Sequence, residues 1–113
     1  MEPDITLVEL TGKLALGREC QRVETLVEDL VKRRIKRVIF DMTGVDYADS
    51  AGIGMLVSKL QRLRKVGGDL RLAQLTARYQ RLLGTMRVLP LFQVFDEETS
   101  AVRSFSEAPV PTH

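Results

Sequence analysis

The run Val38-Ile39-Phe40-Asp41-Met42-Thr43-Gly44-Val45-Asp46-Tyr47-Ala48-Asp49-Ser50-Ala51-Gly52-Ile53-Gly54 constrains the fold more than any other part of this chain. Residues 37–42 are almost continuously apolar, the pattern of a strand buried on both faces. Residues 43–49 read as an acidic loop. A helix is expected to begin near Ser50, because Ile53, Leu56, Val57, Leu60 and Leu63 then recur at spacings of three and four. Gly67-Gly68 supplies its left-handed stop.

The same reading extends in both directions. Residues 5–10 are rich in β-branched and aliphatic side chains and stop at Thr11-Gly12, so they predict a first strand, with residues 13–15 a short extension past the turn. Val23, Leu26, Val27, Leu30 and Val31 predict a helix over about residues 18–34. Residues 69–75 carry Leu70 and Leu72 for another strand, and Thr76 is the expected N-cap of a short helix lined by Tyr79, Leu82, Leu83 and Met86. Pro90 interrupts, residues 92–95 predict a closing strand, and a last helix is expected from Asp96 or Thr99 to about Phe105. Residues 107–113 hold two prolines and no apolar period, and are expected to be a disordered tail.

Strands alternating with helices imply an α/β layer with at least three parallel neighbours joined by helical crossovers. The expectation is one domain over residues 1–106, with a mixed sheet of four to five strands and about four helices. The opening pair can be antiparallel, because the link between its members is short.

A chain of 113 residues suits one domain, and a net charge of +2 is too small to argue for nucleic acid. The densest basic run, Lys32-Arg33-Arg34 with Lys36-Arg37, falls where a helix should end, and cations there complement the helix dipole. Cys20 is the only cysteine, which suits a reducing compartment. The N-terminus lacks the basic and apolar regions of a signal peptide, and no apolar run approaches the roughly 20 residues needed to cross a bilayer. A cytoplasmic location is the expectation.

In open α/β sheets, function gathers at the carboxyl ends of parallel strands. Here that end brings Asp46 and Asp49 to Ser50, followed by the small residues Ala51, Gly52 and Gly54. Capping by Asp49 or Ser50 explains one polar residue, worth about 0.5–2 kcal/mol. It does not explain two glycines in one first turn, each costing on the order of 1 kcal/mol relative to alanine. Packing against a neighbouring strand and close approach of a protein partner both remain as reasons.

Enzymatic alternatives find little support. Asp41, Asp46 and Asp49 could hold a hard cation, but an aspartyl phosphorelay needs a pair of acids after the first strand, and Leu10-Thr11-Gly12-Lys13 has none. His113, the only histidine, lies in the expected tail, so Cys20 lacks a partner for nucleophilic chemistry. There is no phosphate-binding glycine loop of the Walker type and no aromatic platform for bases.

Residues 40–54 resemble the signature of STAS domains, and more closely that of bacterial anti-sigma factor antagonists. Gly67-Gly68-Asp69-Leu70-Arg71-Leu72 is similar to the family's next strand, and Leu89-Pro90-Leu91-Phe92-Gln93-Val94-Phe95 to its closing strand. The resemblance implies a switch and no reaction of the chain's own. Ser50 aligns with the serine phosphorylated by an anti-sigma factor that is also a kinase. The unphosphorylated antagonist binds that kinase and frees a sigma factor, and a serine phosphatase reverses the modification. No cofactor is expected, since ATP and magnesium belong to the kinase. The partner surface is expected to include Asp46, Tyr47, Asp49, Ala51, Gly52 and Gly54, with a larger side chain at Gly52 blocking the partner at little cost to the fold. In one departure, many antagonists carry an acid just after the Gly-x-Leu of their early strand, where this chain has Ala15. The alternative output is a structural STAS subunit of a stress-sensing or lipid-transport assembly that is never phosphorylated.

Overall fold

The computed structural model describes residues 5–106. In chain order the elements are β1 (Ile5–Leu14), α1 (Arg18–Lys32), β2 (Arg37–Ala48), α2 (Ser50–Lys65), β3 (Asp69–Ala73), α3 (Ala77–Thr85), a 3-10 turn (Leu89–Leu91), β4 (Val94–Phe95) and α4 (Glu98–Ser106). The expected tail, residues 107–113, lies outside the described residues.

The sheet order is β1-β2-β3-β4, and each neighbouring pair is parallel. A sheet that advances in one direction through right-handed crossovers must place its crossover helices on one face. Accordingly α1, α2 and α3 pack together over Val38, Phe40, Met42, Leu70 and Leu72. The helix that follows the last strand is not a crossover, and α4 covers the opposite face, over Ile5, Ile39 and Ala73. Along β2 the side chains of Val38, Ile39, Phe40, Asp41 and Met42 alternate between these two layers and are all buried, so both faces of this strand are covered.

The structure departs from the sequence expectation at the start of the sheet. No antiparallel opening pair forms among the described residues: β1 runs on through Thr11 and Gly12 to Leu14, parallel to β2 throughout. Register shifts between Glu9 and Thr11, and between Gly12 and Lys13, absorb the glycine that looked like a turn. The longer β1 also converts the expected acidic loop into strand. Gly44, Val45, Tyr47 and Ala48 pair with Thr11, Gly12, Lys13 and Leu14, beyond the end of β3, so only Asp49 separates β2 from α2. The closing strand is shorter than expected: only Val94 and Phe95 pair with β3, and the Phe92 N–H is still bonded to the Leu89 carbonyl of the turn at Pro90.

The stop after α2 is as expected. Gly67 has φ of 88°, its N–H donates to the Arg64 carbonyl at 3.0 Å, and the Gly68 N–H donates to the Leu63 carbonyl at 2.8 Å. These two bonds satisfy carbonyls that a helix end leaves open.

Candidate functional site at the mouth of α2

Two carboxylates organise this region, one where β2 leaves its pairing with β3 and one just past the end of β2. Asp41, only 4% exposed, sits where the strand leaves the α4 layer. The N–H and hydroxyl of Thr43 donate to its Oδ1 at 2.8 and 2.7 Å, and the Gln74 amide donates to its Oδ2 at 2.9 Å. Glu98, at the start of α4, supplies a further hydrogen bond. Burial pushes the Asp41 carboxyl up, but the bonds from Glu98, Thr43 and Gln74 together outweigh it and hold Asp41 below the ordinary aspartate value. Glu98 moves the other way, to about 7, because it shares its proton with Asp41, is partly desolvated, and faces the charges of Asp41 and Glu9.

The second carboxylate, Asp49, caps α2. Its Oδ1 accepts the Gly52 N–H at 2.9 Å and its carbonyl accepts the Ile53 N–H at 3.0 Å. Its own N–H donates to the Leu14 carbonyl at 3.3 Å, which ties the helix mouth to the end of β1. Capping therefore falls to Asp49 and not to Ser50.

Ser50 is the first residue of α2 and is exposed. Among the described residues no group hydrogen-bonds its hydroxyl. The first turn carries no acid of its own, while Arg62, Arg64 and Lys65 occupy the last turn, so the open N–H groups near Ser50 present an uncompensated positive dipole end. The arrangement leaves a hydroxyl accessible, unbonded and close to a site that favours an anion.

Asp46, Tyr47, Ala51 and Gly54 are exposed around it, and Asp49 is half-buried. Gly52 is not a surface residue. It is buried, and a Cβ there would overlap the Leu14 carbonyl. This corrects the expectation that a large side chain at Gly52 would act on a partner alone: the glycine exists because α2 starts directly against the backbone of β1. Gly54 is the opposite case, with open space where its Cβ would stand. Asp41, Asp46 and Asp49 do not gather, and among the described residues no three His, Cys, Asp or Glu side chains form a metal-sized group. Cys20 is buried, and burial, with the nearby Glu24, Asp49 and Glu19, raises its thiol pKa, which opposes a nucleophilic role.

A STAS domain profile matches residues 2–101. The chain belongs to the STAS family. Among curated relatives of this STAS chain, the anti-sigma F factor antagonist of Paenibacillus polymyxa is 18% identical over 98 residues, spanning 87% of this chain and 84% of that protein. The crystal structure of a putative anti-sigma factor antagonist from Thermotoga maritima superposes with a TM-score of 0.84 at 16% identity, over 93% of this chain and 90% of that one. A sulfate transporter family protein from Wolinella succinogenes gives 0.80 at 20% identity, over 92% and 86%. At these identities the structural likeness is one of fold. No described helix of the STAS chain is long and apolar enough to cross a membrane.

Sequence reasoning had not singled out two residues at this end of the sheet. Leu16, in the turn after β1, is 87% exposed. It belongs to no apolar period, and a leucine outside both flanking patterns was the available signal. Glu98 meets Asp41 only because α4 folds back over the sheet, and no local pattern announces that contact.

Proposed function

We propose that this STAS chain is an anti-sigma factor antagonist, a protein–protein switch. It binds an anti-sigma factor serine kinase while Ser50 is unphosphorylated, and so releases a sigma factor. Phosphorylation of Ser50 ends the binding, and a serine phosphatase restores it. The observation that carries this reading is the exposed, unbonded hydroxyl of Ser50 at the first position of α2, with the cap already supplied by Asp49. The curated relative from Paenibacillus polymyxa, itself an anti-sigma F factor antagonist, supports it.

The physics of the switch is local charge. A phosphoserine adds about −1.5 to −2 charge at pH 7. On the free chain that charge meets water, a favourable dipole and two nearby carboxylates. Within a docked interface it loses its water, and a buried charge without a matched cation costs several kcal/mol. A loss of only about 2.7 kcal/mol is a hundredfold in affinity.

A second reading is a structural STAS subunit of a stress-sensing or lipid-transport assembly that is never phosphorylated, and the fold likeness to a sulfate transporter family protein keeps a transport role open. Titrating the kinase against unmodified and Ser50-phosphorylated chain separates the two. The antagonist reading requires tight binding that modification weakens at least a hundredfold. No binding of the unmodified chain, or equal binding of both forms, rejects it.

A further inference from the structure

β1 forms one edge of the sheet. It pairs with β2 along one side, and among the described residues no strand pairs with the other. An open edge presents a row of backbone N–H and C=O groups to any strand that comes alongside, and proteins blunt such edges with proline, charge or a bulge. From Ile5 to Val8 this edge has none of the three: no proline or charged residue, and a register with β2 that shifts only after Glu9. Residues 5–9 are therefore its regular half, with Leu7 at the centre.

An apolar groove of about 400 Å³ lies along that half, between Leu7 and the Val102 side of α4, and both side chains are only half-buried. Its ends differ in charge because α4 runs against the strands. Glu98, in the first turn, faces Asp41 and Glu9. Further along, Ser104 accepts a hydrogen bond from Arg71 at 2.7 Å, and Arg71 stands on the rung of Ile39 and Leu7. The last turn of α4, with Arg103, thus lies from the Leu7 rung towards the start of β1. Glu9 and Arg103 are exposed, and among the described residues neither makes a hydrogen bond or ion pair.

We propose that β1 is a homodimer interface, in which residues 5–9 of two copies of this chain pair antiparallel about a two-fold axis at Leu7 and join their sheets into one. Directly opposed residues of an antiparallel pair share a face, so Leu7 meets Leu7 and the two apolar grooves become neighbours. The axis sets Glu9 of one copy opposite Ile5 of the other. Each Glu9 then comes beside the last turn of the other copy's α4, where Arg103 is the open positive charge, and the contact occurs twice. Self-pairing in this register matches apolar to apolar and an unpaired acid to an unpaired base, which selects a second copy over an unrelated strand. Leu14, which holds Asp49 at the mouth of α2, lies outside residues 5–9, so this interface does not depend on the reading of Ser50.

Analytical ultracentrifugation of the full chain over a range of concentrations, with thermal unfolding of each variant, tests the dimer. The wild-type chain should dimerise at micromolar concentration. Arg103→Glu and Glu9→Lys, both at exposed positions, should each weaken the dimer about tenfold or more, and the two together should restore it to within about threefold of wild type. Leu7→Cys should give a disulfide-linked dimer on mild oxidation, because directly opposed residues have Cα atoms about 4.5–5.5 Å apart, within disulfide reach. Thr11→Cys, beyond the paired stretch, should not cross-link, nor should the wild type, whose Cys20 is buried. Monomers at every concentration leave the edge to another occupant or to none, and overturn the proposal. A dimer that fails to cross-link through Leu7→Cys, or that the double charge exchange does not restore, uses another face and overturns it as well.

Discussion

A side chain on Gly52 would overlap the carbonyl oxygen of Leu14. The same carbonyl accepts the N–H of Asp49, so one oxygen at the end of β1 fixes both the capping residue and the first turn of α2. Ser50 lies between these two contacts, and its position follows from them.

Opposite effects are expected at the two glycines of that turn. Gly52→Ala must push α2 away from a backbone atom that cannot rotate aside, and should destabilise the chain by about 1–3 kcal/mol. Gly54→Ala meets open space in a helix and should stabilise it by up to about 1 kcal/mol. Chemical denaturation of both variants checks this, and a neutral Gly52→Ala would show that the helix mouth is not seated on Leu14.

The cap and the phosphoacceptor should separate cleanly. Asp49→Ala removes the acceptor for the Gly52 N–H and should cost about 0.5–2 kcal/mol, with Asp49→Asn recovering most of it. Ser50→Ala, which removes an exposed and unbonded hydroxyl, should stay within about 0.5 kcal/mol of wild type. Equal losses at both positions would mean that Ser50 shares the capping role.

Stability should carry a pH signature from the Asp41–Glu98 pair. Glu98 has its pKa raised from 4.5 to about 7 in the folded chain, so the unfolded state binds fewer protons than the native state between those values. Its contribution is complete below about 4.5 and is lost as pH rises through about 7. Asp41, held below its ordinary 3.8, contributes above that value and loses its contribution as pH falls. Glu98→Gln keeps a donor for Asp41 without titrating. Denaturation from pH 5 to 8 should show wild-type stability declining relative to Glu98→Gln, and parallel curves would show that the two carboxyls do not share a proton.

Phosphorylation should leave the free domain folded. The dipole at the mouth of α2 favours the added charge by about 0.3–1 kcal/mol at an exposed site. Repulsion from Asp46 and Asp49 opposes it and is screened by water and salt. These effects nearly offset, so the unfolding temperature of the Ser50-phosphorylated chain should lie close to that of the unmodified one. A large fall would place the switch in the fold and not in the interface.

Much of this was legible in the sequence because it is written locally. The apolar run of β2, the stripe of α2 and the Gly67 stop depend on neighbours a few residues away, and each appears where periodicity and backbone chemistry put it. Pairing of distant segments was harder to read. Gly12 has the look of a turn, yet the register shifts beside it let β1 continue, and this turned residues 43–48 from loop into strand. Gly52 and Gly54 look alike in sequence. Only the arrival of the Leu14 carbonyl beneath one of them shows that Gly52 serves the fold and Gly54 faces solvent. The partnership of Asp41 with Glu98 required α4 to fold back across the sheet, a relation with no short-range trace.

The role of Ser50 is tested by incubating the chain with its candidate serine kinase and ATP and locating the phosphate by mass spectrometry. A single phosphate on Ser50, absent from Ser50→Ala, is the expected result. Phosphate on the exposed Ser58, two turns along α2, with Ser50 unmodified, would contradict it, as would a chain that binds the kinase yet takes up no phosphate.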